Sequence, residues 1–433
     1  MQVLVIGGGG REHALVWKLL QSPDVTQVYC APGNAGIGLL PRCQIVPLSA
    51  TDLDGLVRFA SVQGIALTVV GPEVPLSAGI VDAFQAAGLT IFGPTQAGAQ
   101  IEASKSWAKD MMVAHGIPTA TAETFTELAP AQDYVRGHAL PLVIKADGLA
   151  AGKGVTVAHS LEEALGALQE AMATADRVLV EDFLLGEEVS LLALADGQIC
   201  VPLLPAQDHK RIGEGDTGAN TGGMGAYAPA HHLVTPEVLA KIQSRILDPT
   251  LAALRERGID YRGVLYAGLM IDPQGDPYVV EFNCRFGDPE TQVVLPLLQT
   301  PLAALLLACA QGRLHLQSPS SWIQWQEHAA ACVVLASAGY PGTYEKGFPI
   351  QGLAAAANTG ALIFHAGTRW SGSPAKSGPI LSDGGRVLCI TGVGQTLASA
   401  LDQAYAAAEC IQFEGVYYRR DIGHRALAAG QTA

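Results

Sequence analysis

Residues 279–292 read VVEFNCRFGDPETQ, and the rest of the chain is best interpreted outward from this stretch. The run Tyr278–Phe282 has the alternation of a β-strand, in which successive side chains point to opposite faces. It follows the turn Pro273–Asp276, and the apolar run Gly263–Ile271 precedes that turn. Two such runs on either side of a short turn predict an antiparallel hairpin.

Polar side chains gather at the end of the second predicted strand. Glu281 and Asn283 are two positions apart and therefore point to the same face. A carboxylate and an amide oxygen on one face form a hard-oxygen site that suits Mg²⁺ carrying phosphates. Arg285 continues the same parity and offers a planar fork to a carboxylate or a phosphate. The alternative is a strand end with solvated polar groups, which a lone Glu-x-Asn would favour.

The composition of the chain narrows the classes of function. Its 433 residues suffice for about two to four domains. A net charge of −14 argues against nucleic acid and anionic membrane surfaces as partners. The eight cysteines include no C-x-x-C pair, which argues against zinc and indicates a reduced, cytoplasmic compartment. The chain begins with the strand-like MQVLVIG rather than with a signal peptide.

The N-terminal segment predicts a parallel α/β domain. A buried strand over 2–6 leads through Gly7–Gly10 into a helix over 11–20, and such a helix N-terminus can hold a phosphate. A dinucleotide-binding fold is the alternative, but Glu12 stands where its fingerprint requires glycine. The second strand, Gln27–Cys30, also ends without the acid that would bind a ribose hydroxyl.

A basic, glycine-rich segment follows at residues 141–155, which read PLVIKADGLAAGKGV. A buried strand ends in Lys145, and the glycines from Gly148 to Gly154 then form a flexible loop around Lys153. Small residues let backbone amides approach phosphate oxygens, and lysine adds a point charge. The Walker sequence is absent, so the alternative is a glycine-rich hairpin tip without a ligand.

Several helices and one long polar segment complete the middle of the chain. Lys105 lies on a predicted helix over 102–115, where its charge alone would indicate only a solvated surface. The acidic string EDFLLGEE at 181–188 follows a predicted strand. Residues 207–227 predict a long glycine-rich loop, and loops of this length are usually functional or disordered. A helix is predicted over 235–257, with Thr235 as its N-cap.

The C-terminal third combines apolar helices with short strands. The window 293–310 holds two prolines and Gln299, so it predicts two buried helices rather than a membrane span. After about residue 320, short strands, turns and a helix over 397–411 predict an α+β domain.

These strings together resemble the glycinamide ribonucleotide synthetase family of the ATP-grasp ligases. The resemblance rests on VLVIGGGGREHAL, APGNAG, GPE, IFGPT, PLVIKADGLAAGKGV, QDHKR, NTGGMGAY, EFNCRFGDPETQ and HAGT. The chain departs from most members at Gly8 and Asp182, where they carry Asn and Glu. The implied fold is an α/β ATP-grasp fold with the following parts: an N-terminal parallel-sheet domain over 1–102, an ATP-grasp domain over 103–318 with its lid at about 120–188, and a C-terminal α+β domain over 319–433.

The resemblance implies ATP-dependent ligation of glycine to 5-phosphoribosylamine, through glycyl phosphate, in purine biosynthesis. The products are glycinamide ribonucleotide, ADP and phosphate. The implied cofactor is Mg²⁺ or Mn²⁺, with ATP as co-substrate, and the implied enzyme is a cytoplasmic monomer without nucleic-acid or membrane partners. One rival is another ATP-grasp carboxylate–amine ligase. A second is a non-catalytic nucleotide-binding regulator, which would be expected to lose Glu281, Asn283 or Lys145.

The resemblance also implies roles for individual residues. The metal ligands are Glu281 and Asn283. The catalytic residues are Arg285, which pairs with the glycine carboxylate, Lys145, Asp208 and Lys210. The nucleotide is bound by Lys105, Lys145, Gly152, Lys153, Gly154, Glu181, Phe183, Leu184 and Glu188, of which Glu181 and Glu188 accept from the adenine amino group and the ribose. The other substrates contact Gly9, Gly10, Arg11, Asn34, Glu73, Arg285, Gly287 and Asp288. Because the lysines account for the ATP phosphates, we assign the sugar phosphate to Gly9, Gly10 and Arg11.

Overall fold

Strands and helices alternate along most of the chain. A computed structural model describes residues 1–149, 154–316, 322–372 and 378–430. Its strands are β1 Gln2–Gly7, β2 Gln27–Pro32, β3 Cys43–Ile45, β4 Leu67–Val70, β5 Ile91–Phe92, β6 Ala122–Phe125, β7 Leu142–Ala146, β8 Val155–Ala158, β9 Val178–Asp182, β10 Glu187–Asp196, β11 Cys200–Pro202, β12 Gln207–Asp208, β13 Arg211–Gly213, β14 Thr217–Asn220, β15 Gly225–Ala228, β16 Arg262–Ile271, β17 Pro277–Asn283, β18 Ala329–Ala336, β19 Leu362–His365, β20 Thr368–Trp370, β21 Ile380–Ser382 and β22 Arg386–Gly394.

The helices cover the faces of the sheets. They are α1 Gly10–Leu19, α2 Leu53–Gln63, α3 Glu73–Ser77, α4 Ile80–Ala86, α5 Gln96–Ala103, α6 Lys105–Ala114, α7 Leu128–Arg136, α8 Leu161–Thr174, α9 Pro236–Ile242, α10 Asp248–Glu256, α11 Thr291–Leu297, α12 Leu302–Ala310, α13 Leu353–Ala357, α14 Leu397–Cys410 and α15 His424–Gly430.

The N-terminal sheet brings several loops to one edge. Its five strands run parallel in the order β3-β2-β1-β4-β5. β1 lies in the middle and is fully buried from Val3 to Ile6, as a strand covered on both faces must be. The predicted strand, glycine loop and helix are confirmed, and α1 begins at Gly10. The loops after β1, β2 and β4 meet at the carboxyl edge, where such sheets bind ligands.

A second sheet has a hydrophobic core of its own. Its four antiparallel strands lie in the order β6-β9-β7-β8, and α7 and α8 pack with them around that core. In the β7–β9 ladder Val143 is opposite Glu181, and Lys145 is opposite Leu179. Lys145 and Glu181 are therefore diagonal neighbours on one face, within reach of each other.

The predicted hairpin is confirmed and lies in a third sheet, of order β11-β10-β16-β17. Gly268 is opposite Glu281 and Leu269 is opposite Val279, so Val280 is an extra residue that forms a bulge in β17. Because the bulge precedes Glu281, it leaves Glu281 and Asn283 on the common face that the sequence predicts.

The predicted helix over 102–115 is wrong at its start. α5 ends at Ala103 and α6 begins at Lys105, with Ser104 between them in an extended conformation (φ −135°, ψ 110°). The Ser104 hydroxyl accepts the Trp107 N–H at 3.2 Å, as an N-cap does. Lys105 is consequently the first residue of a new helix, where the N–H groups have no partner within the helix, rather than a residue inside a continuous one.

Two other predicted segments also differ in detail. The polar segment 207–227 is more ordered than a loop, since β13 and β14 form a hairpin while β12 and β15 belong to a larger sheet. The predicted helix over 235–257 is present, but a π-helical turn over Gln243–Leu247 joins α9 to α10. This turn precedes Pro249, whose ring nitrogen has no hydrogen to donate.

The C-terminal sheet joins parts of the chain that are far apart in sequence. Its five strands lie in the order β12-β15-β18-β22-β19. β15 pairs with β18, so the predicted domain boundary near residue 319 falls between two strands of the same sheet. The three predicted domain boundaries stay a prediction. The window 293–310 forms the buried helices α11 and α12, as predicted. Among the described residues, no helix has both the length and the apolar character needed to cross a membrane.

A buried arginine fastens the C-terminal segment to the β13–β14 hairpin. The Arg419 side chain is 0% exposed and donates to Asp216 at 2.9 Å and to Asp421 at 2.7 Å. It also donates to the main-chain oxygen of Arg211 at 3.0 Å. Arg425 adds a second ion pair with Asp216.

We expect Arg419→Met to lower the free energy of unfolding by about 2–3 kcal/mol, because Asp216 and Asp421 lose their buried partner while Asp216 keeps its ion pair with Arg425. Urea unfolding followed by circular dichroism measures the loss. Arg420→Met is the matched control, since the Arg420 side chain is 68% exposed and lies 3.7 Å from Glu409. That control should cost less than about 1 kcal/mol, and equal losses in the two variants would contradict the role given to Arg419.

Candidate active site

One large cavity, of about 660 Å³, opens between the four larger sheets. The predicted site residues that line it are Arg11, Glu73, Lys105, Lys145, Gly154, Glu181, Phe183, Leu184, Glu188, Asp208, Lys210, Glu281, Asn283, Arg285 and Asp288. The predicted residues outside its lining are Gly9, Gly10, Asn34 and Gly287. Gly152 and Lys153 lie outside the described residues, so the predicted lid loop is described only at its two ends.

Two buried lysines share one carboxylate at the centre of the cavity. Glu181 Oε2 lies 2.7 Å from Lys145 Nζ, and Glu181 Oε1 lies 3.2 Å from Lys109 Nζ. Lys145 also donates to the main-chain oxygen of Val280 at 2.8 Å, which links the second sheet to the hairpin strand β17. Burial lowers the pKa of Lys109, and the charge of Glu181 opposes that shift. The carboxylate thus keeps two ammonium groups stable in a low-dielectric site.

Lys105 lies at the mouth of the glycine-rich loop. Its Nζ donates to the main-chain oxygens of Ala146 at 3.0 Å and Gly148 at 2.7 Å. Burial lowers the pKa of Lys105, while the carboxylates of Glu281 and Asp147 raise it.

Lys210 is surrounded by acids. It pairs with Glu188 and lies 3.6 Å from Glu281. Burial alone would lower the pKa of Lys210, but Glu188, Glu281 and Asp208 together raise it well above its ordinary value. The side chain is therefore a fixed cation at neutral pH.

Arg285 is held by two carboxylates from the N-terminal half of the chain. Its guanidinium lies 2.9 Å from Glu102 and 3.4 Å from Glu73, and it donates to Asn283 Oδ1 at 3.0 Å. Glu102 also accepts the Cys284 N–H at 2.7 Å. The orientation of Arg285 is consequently fixed before any ligand binds.

Two acids in the cavity have no basic partner within 4.0 Å among the described residues. They are Asp208 and Glu290, whereas the other lining carboxylates each pair with Lys, Arg or His. Glu290 Oε1 accepts from the Tyr266 hydroxyl at 2.6 Å and from the Ser190 hydroxyl at 3.0 Å. Burial raises the pKa of Asp208 well above its ordinary value, and Glu290 adds to the shift although Lys210 opposes it. A cation bound between the two acids would oppose this shift and favour their charged forms.

The glycine loop after β1 is occupied by the Glu12 side chain. The Gly9 N–H donates to Glu12 Oε2 at 2.6 Å, and Arg11 pairs with Glu12 at 2.5 Å. An added Cβ at Gly10 would lie 2.7 Å from Gln292 Nε2. Asn34 Nδ2 donates to the main-chain oxygens of Gly8 and His365, so it holds two loops together. The binding of a sugar phosphate by these loop amides stays a prediction.

Arg386 brings a further cation to the cavity from the C-terminal sheet. Its guanidinium lies 3.3 Å from Asp288 and donates to the main-chain oxygen of Asp288 at 2.7 Å. Burial would raise the pKa of Asp288, but Arg386 and Arg11 lower it. Arg11, Arg386 and Asp288 therefore form one charged group in the cavity lining, called here the charged rim.

Sequence reasoning missed several lining residues. They are Glu102, Lys109, Tyr266, Glu290 and Arg386. Lys109 was detectable as the residue one helical turn after Lys105, and Glu290 stands inside the quoted string FGDPETQ. Arg386 stands in the sequence GGRVL at 384–388, but no pattern near it points to the cavity, because the pairing of β15 with β18 and of β18 with β22 carries it there.

A divalent cation would find two hard oxygens on β17. Burial would raise the pKa of Glu281, but Lys210, Lys145 and Arg285 lower it, so the carboxylate is ionised. The described residues contain no cluster of three or more His, Cys, Asp or Glu that could hold a metal. Glu281 and the amide oxygen of Asn283 fit Mg²⁺ or Mn²⁺, which takes the remaining oxygens from phosphates and water.

Comparison with family models covers most of the chain. Residues 1–102 match the N domain of phosphoribosylglycinamide synthetase, residues 103–291 its ATP-grasp (A) domain, and residues 330–425 its C domain.

Full-length relatives extend this likeness. A phosphoribosylamine–glycine ligase of Nostoc sp. is 57% identical over 430 residues, which are 98% of this chain and 99% of the relative. That of Vibrio cholerae is 50% identical over the whole of both chains, 438 aligned residues.

Solved structures show the same likeness. The crystal structure of the Thermotoga maritima phosphoribosylamine–glycine ligase has a TM-score of 0.78 at 34% identity and covers 98% of this chain and 100% of that one. The biotin carboxylase domain of Hydrogenobacter thermophilus 2-oxoglutarate carboxylase has a TM-score of 0.70 at 16% identity, covering 96% and 91% of the two chains, a likeness of fold alone. The predicted α/β ATP-grasp fold is confirmed.

Proposed function

This chain belongs to the phosphoribosylglycinamide synthetase family, and from that premise we propose catalytic or binding roles for residues of the cavity. It ligates glycine to 5-phosphoribosylamine in purine biosynthesis, and it uses ATP and a divalent metal ion. The observation that carries the residue assignments is the convergence of Lys105, Lys145, Lys210, Glu281 and Arg285 in one cavity.

ATP occupies the part of the cavity between the second and third sheets. Apolar side chains there provide a slot for adenine: Val143, Val157, Phe183, Leu184, Met270 and Phe282. Lys105 and Lys145 contact the phosphates. The predicted contact of Glu181 with the adenine amino group competes with its two ion pairs, and we assign that contact to the main chain of 182–184 instead. Glu188 reaches the ribose from beside Lys210.

The metal is Mg²⁺ or Mn²⁺ bound by Glu281 and Asn283. When bound, it neutralises charge that develops on the phosphate oxygens during transfer. The fixed ammonium groups of Lys145 and Lys210 offset the rest of that charge, and they need no rearrangement at the moment of reaction.

Glycine lies between Arg285 and the unpaired acids. The ordered guanidinium of Arg285 orients the glycine carboxylate. Asp208 and Glu290 bind the glycine ammonium, because they are the lining carboxylates without a basic partner among the described residues. An ammonium bound to carboxylates stays protonated, so it cannot act as the attacking amine.

The reaction consists of two displacements. A carboxylate oxygen of glycine attacks the γ-phosphorus of ATP, ADP leaves, and glycyl phosphate is formed. The nitrogen of phosphoribosylamine then attacks the glycyl carbonyl carbon, and inorganic phosphate leaves. The departing phosphate accepts the proton that the attacking nitrogen loses, so Asp208 keeps its charge for the glycine ammonium.

Phosphoribosylamine approaches from the charged rim. Arg11 and Arg386 bind its 5-phosphate, while Glu73 and Asp288 accept hydrogen bonds from its ribose hydroxyls. The predicted contacts of Gly9 and Gly10 would require Glu12 to release the Gly9 N–H. We place the reaction in the cytosol and expect a monomer, which sedimentation velocity tests.

Glu281→Gln tests the metal assignment. We expect an intact fold and a fall in kcat of about 100-fold or more, because the variant loses the anionic metal ligand. ADP release that depends on both glycine and phosphoribosylamine is the assay. Glu123→Gln, which changes an exposed carboxylate on β6, is the control and should keep full activity. Near wild-type turnover of Glu281→Gln at saturating Mg²⁺ would refute the assignment.

Glu290→Gln tests the glycine site. Its amide oxygen can still accept from Tyr266 and Ser190, so the change removes mainly the charge. We expect the KM for glycine to rise at least about tenfold, which corresponds to about 1.4 kcal/mol, while the KM for ATP stays within twofold. Tyr266→Phe keeps the charge and should raise the glycine KM less. An equal rise for all three substrates would count against a glycine-specific role.

A further inference from the structure

The carboxylate of Asp147 lies between the second sheet and the start of α6. It follows Ala146, the last residue of β7, by one position, whereas Lys105 is the first residue of α6. We propose that Asp147 is a positioning residue that holds the Lys105 ammonium where the ATP phosphates bind. The proposal deepens the proposed function and rests on its assignment of Lys105 to ATP.

Both oxygens of the Asp147 carboxylate are occupied. Oδ1 accepts the main-chain N–H groups of Lys105 at 2.6 Å, Ser106 at 3.3 Å and Gly148 at 3.0 Å. Oδ2 accepts the hydroxyls of Ser106 at 2.5 Å and Ser104 at 3.2 Å. Five donors around one carboxylate leave it no freedom to turn. Burial would raise the pKa of Asp147, but the hydrogen bonds from Ser106, Gly148 and Lys105 lower it.

The main-chain N–H and the side-chain ammonium of Lys105 both bind to residues 146–148. Its main-chain N–H donates to Asp147, and its Nζ donates to the main-chain oxygens of Ala146 and Gly148 on either side. Gly148 has a φ of +98°, in the region that favours glycine, and this conformation sets the direction of its carbonyl group. The side chain therefore spans a fixed distance between two anchors that both depend on residues 146–148.

The break between α5 and α6 makes main-chain N–H groups available to Asp147. The Lys105 and Ser106 N–H groups at the start of α6 would otherwise be free to bind a phosphate directly. Because Asp147 accepts both, they are occupied, and the cation offered to ATP from this helix is the Lys105 side chain. A continuous helix through Ser104 would have no free N–H groups for Asp147 to bind.

The test compares Asp147→Ala with Asp147→Asn in the full-length enzyme. Calorimetry with a non-hydrolysable ATP analogue and Mg²⁺ measures nucleotide affinity, and steady-state kinetics measures each KM. We expect Asp147→Ala to weaken nucleotide binding at least tenfold while the glycine KM stays within twofold. Asp147→Asn keeps an acceptor oxygen for the Lys105 N–H and should stay within threefold of the wild type. Thermal unfolding identifies variants that fail to fold, in which case Ser106→Ala, with a smaller expected loss, replaces the alanine variant.

The control for lost helix capping is Asp52→Ala. Asp52 caps α2 by accepting the Gly55 N–H at 3.0 Å. The Asp52→Ala substitution should lower the melting temperature without changing nucleotide affinity. Unchanged or tighter nucleotide binding in Asp147→Ala overturns the proposal, as does an equally large loss in Asp147→Asn or a parallel rise in the glycine KM.

Lys105→Ala separates failure of the inference from failure of the proposed function. If Lys105→Ala leaves nucleotide affinity unchanged, the assignment of Lys105 to ATP is wrong, and the inference falls with it. If Lys105→Ala weakens binding, Asp147→Ala should add little in the double variant, because both changes remove the same contact. Additive losses would mean that Asp147 acts independently of Lys105 and would overturn the positioning role alone.

Discussion

The ion pair between Lys145 and Glu181, 2.7 Å apart, is the interaction on which the cavity depends. A site for a polyphosphate needs fixed cations, but a cation inside a protein loses its hydration and has to be paired. Glu181 meets this requirement for two lysines at once, because β9 lies beside β7 while α6 brings Lys109 from the other side. Burial lowers the pKa of Lys109, and the charge of Glu181 opposes that shift.

Other cations around the cavity are also paired with carboxylates. Lys210 pairs with Glu188, Arg285 with Glu73 and Glu102, and Arg386 with Asp288. A chain with a net charge of −14 can therefore present a local group of cations to anionic substrates. Each of these cations already has its orientation fixed by a carboxylate, so the side chain itself needs little reorientation when a substrate binds. Asp208 and Glu290, which have no basic partner within 4.0 Å among the described residues, are the exception, and in the proposed function the glycine ammonium completes their charge balance.

Local patterns predicted the parts of the site that depend on nearby residues. The β16–β17 hairpin follows from alternation around a four-residue turn, and the common face of Glu281 and Asn283 follows from strand geometry. The α5–α6 break was missed, because its cause includes Asp147, about 40 residues away. The occupation of the glycine loop by Glu12 was missed as well. The fingerprint test correctly marked Glu12 as foreign to a dinucleotide site, but it gave no reason to expect the carboxylate inside the loop. Arg386 reaches the cavity only through a sheet assembled from distant strands.

The way in which each part is attached indicates which part can move. The C-terminal segment is attached by the ladder between β15 and β18 and shares buried residues with both large hydrophobic cores, so it cannot separate without unzipping a sheet. The second sheet has a separate core, and the bonds that join it to the rest of the cavity are polar. They run from Lys145 to Val280, from Glu181 to Lys109, from Asp147 to the start of α6, and from Asn220 to Val155. Polar groups that separate can bond to water once both are solvated, whereas separating a buried apolar core exposes apolar surface that gains no such partner. We therefore expect the second sheet to be the moving part. Lys105 and Lys145 take part in its attachments, so under the proposed assignment of the ATP phosphates to these lysines, nucleotide binding would also change how firmly that sheet is held.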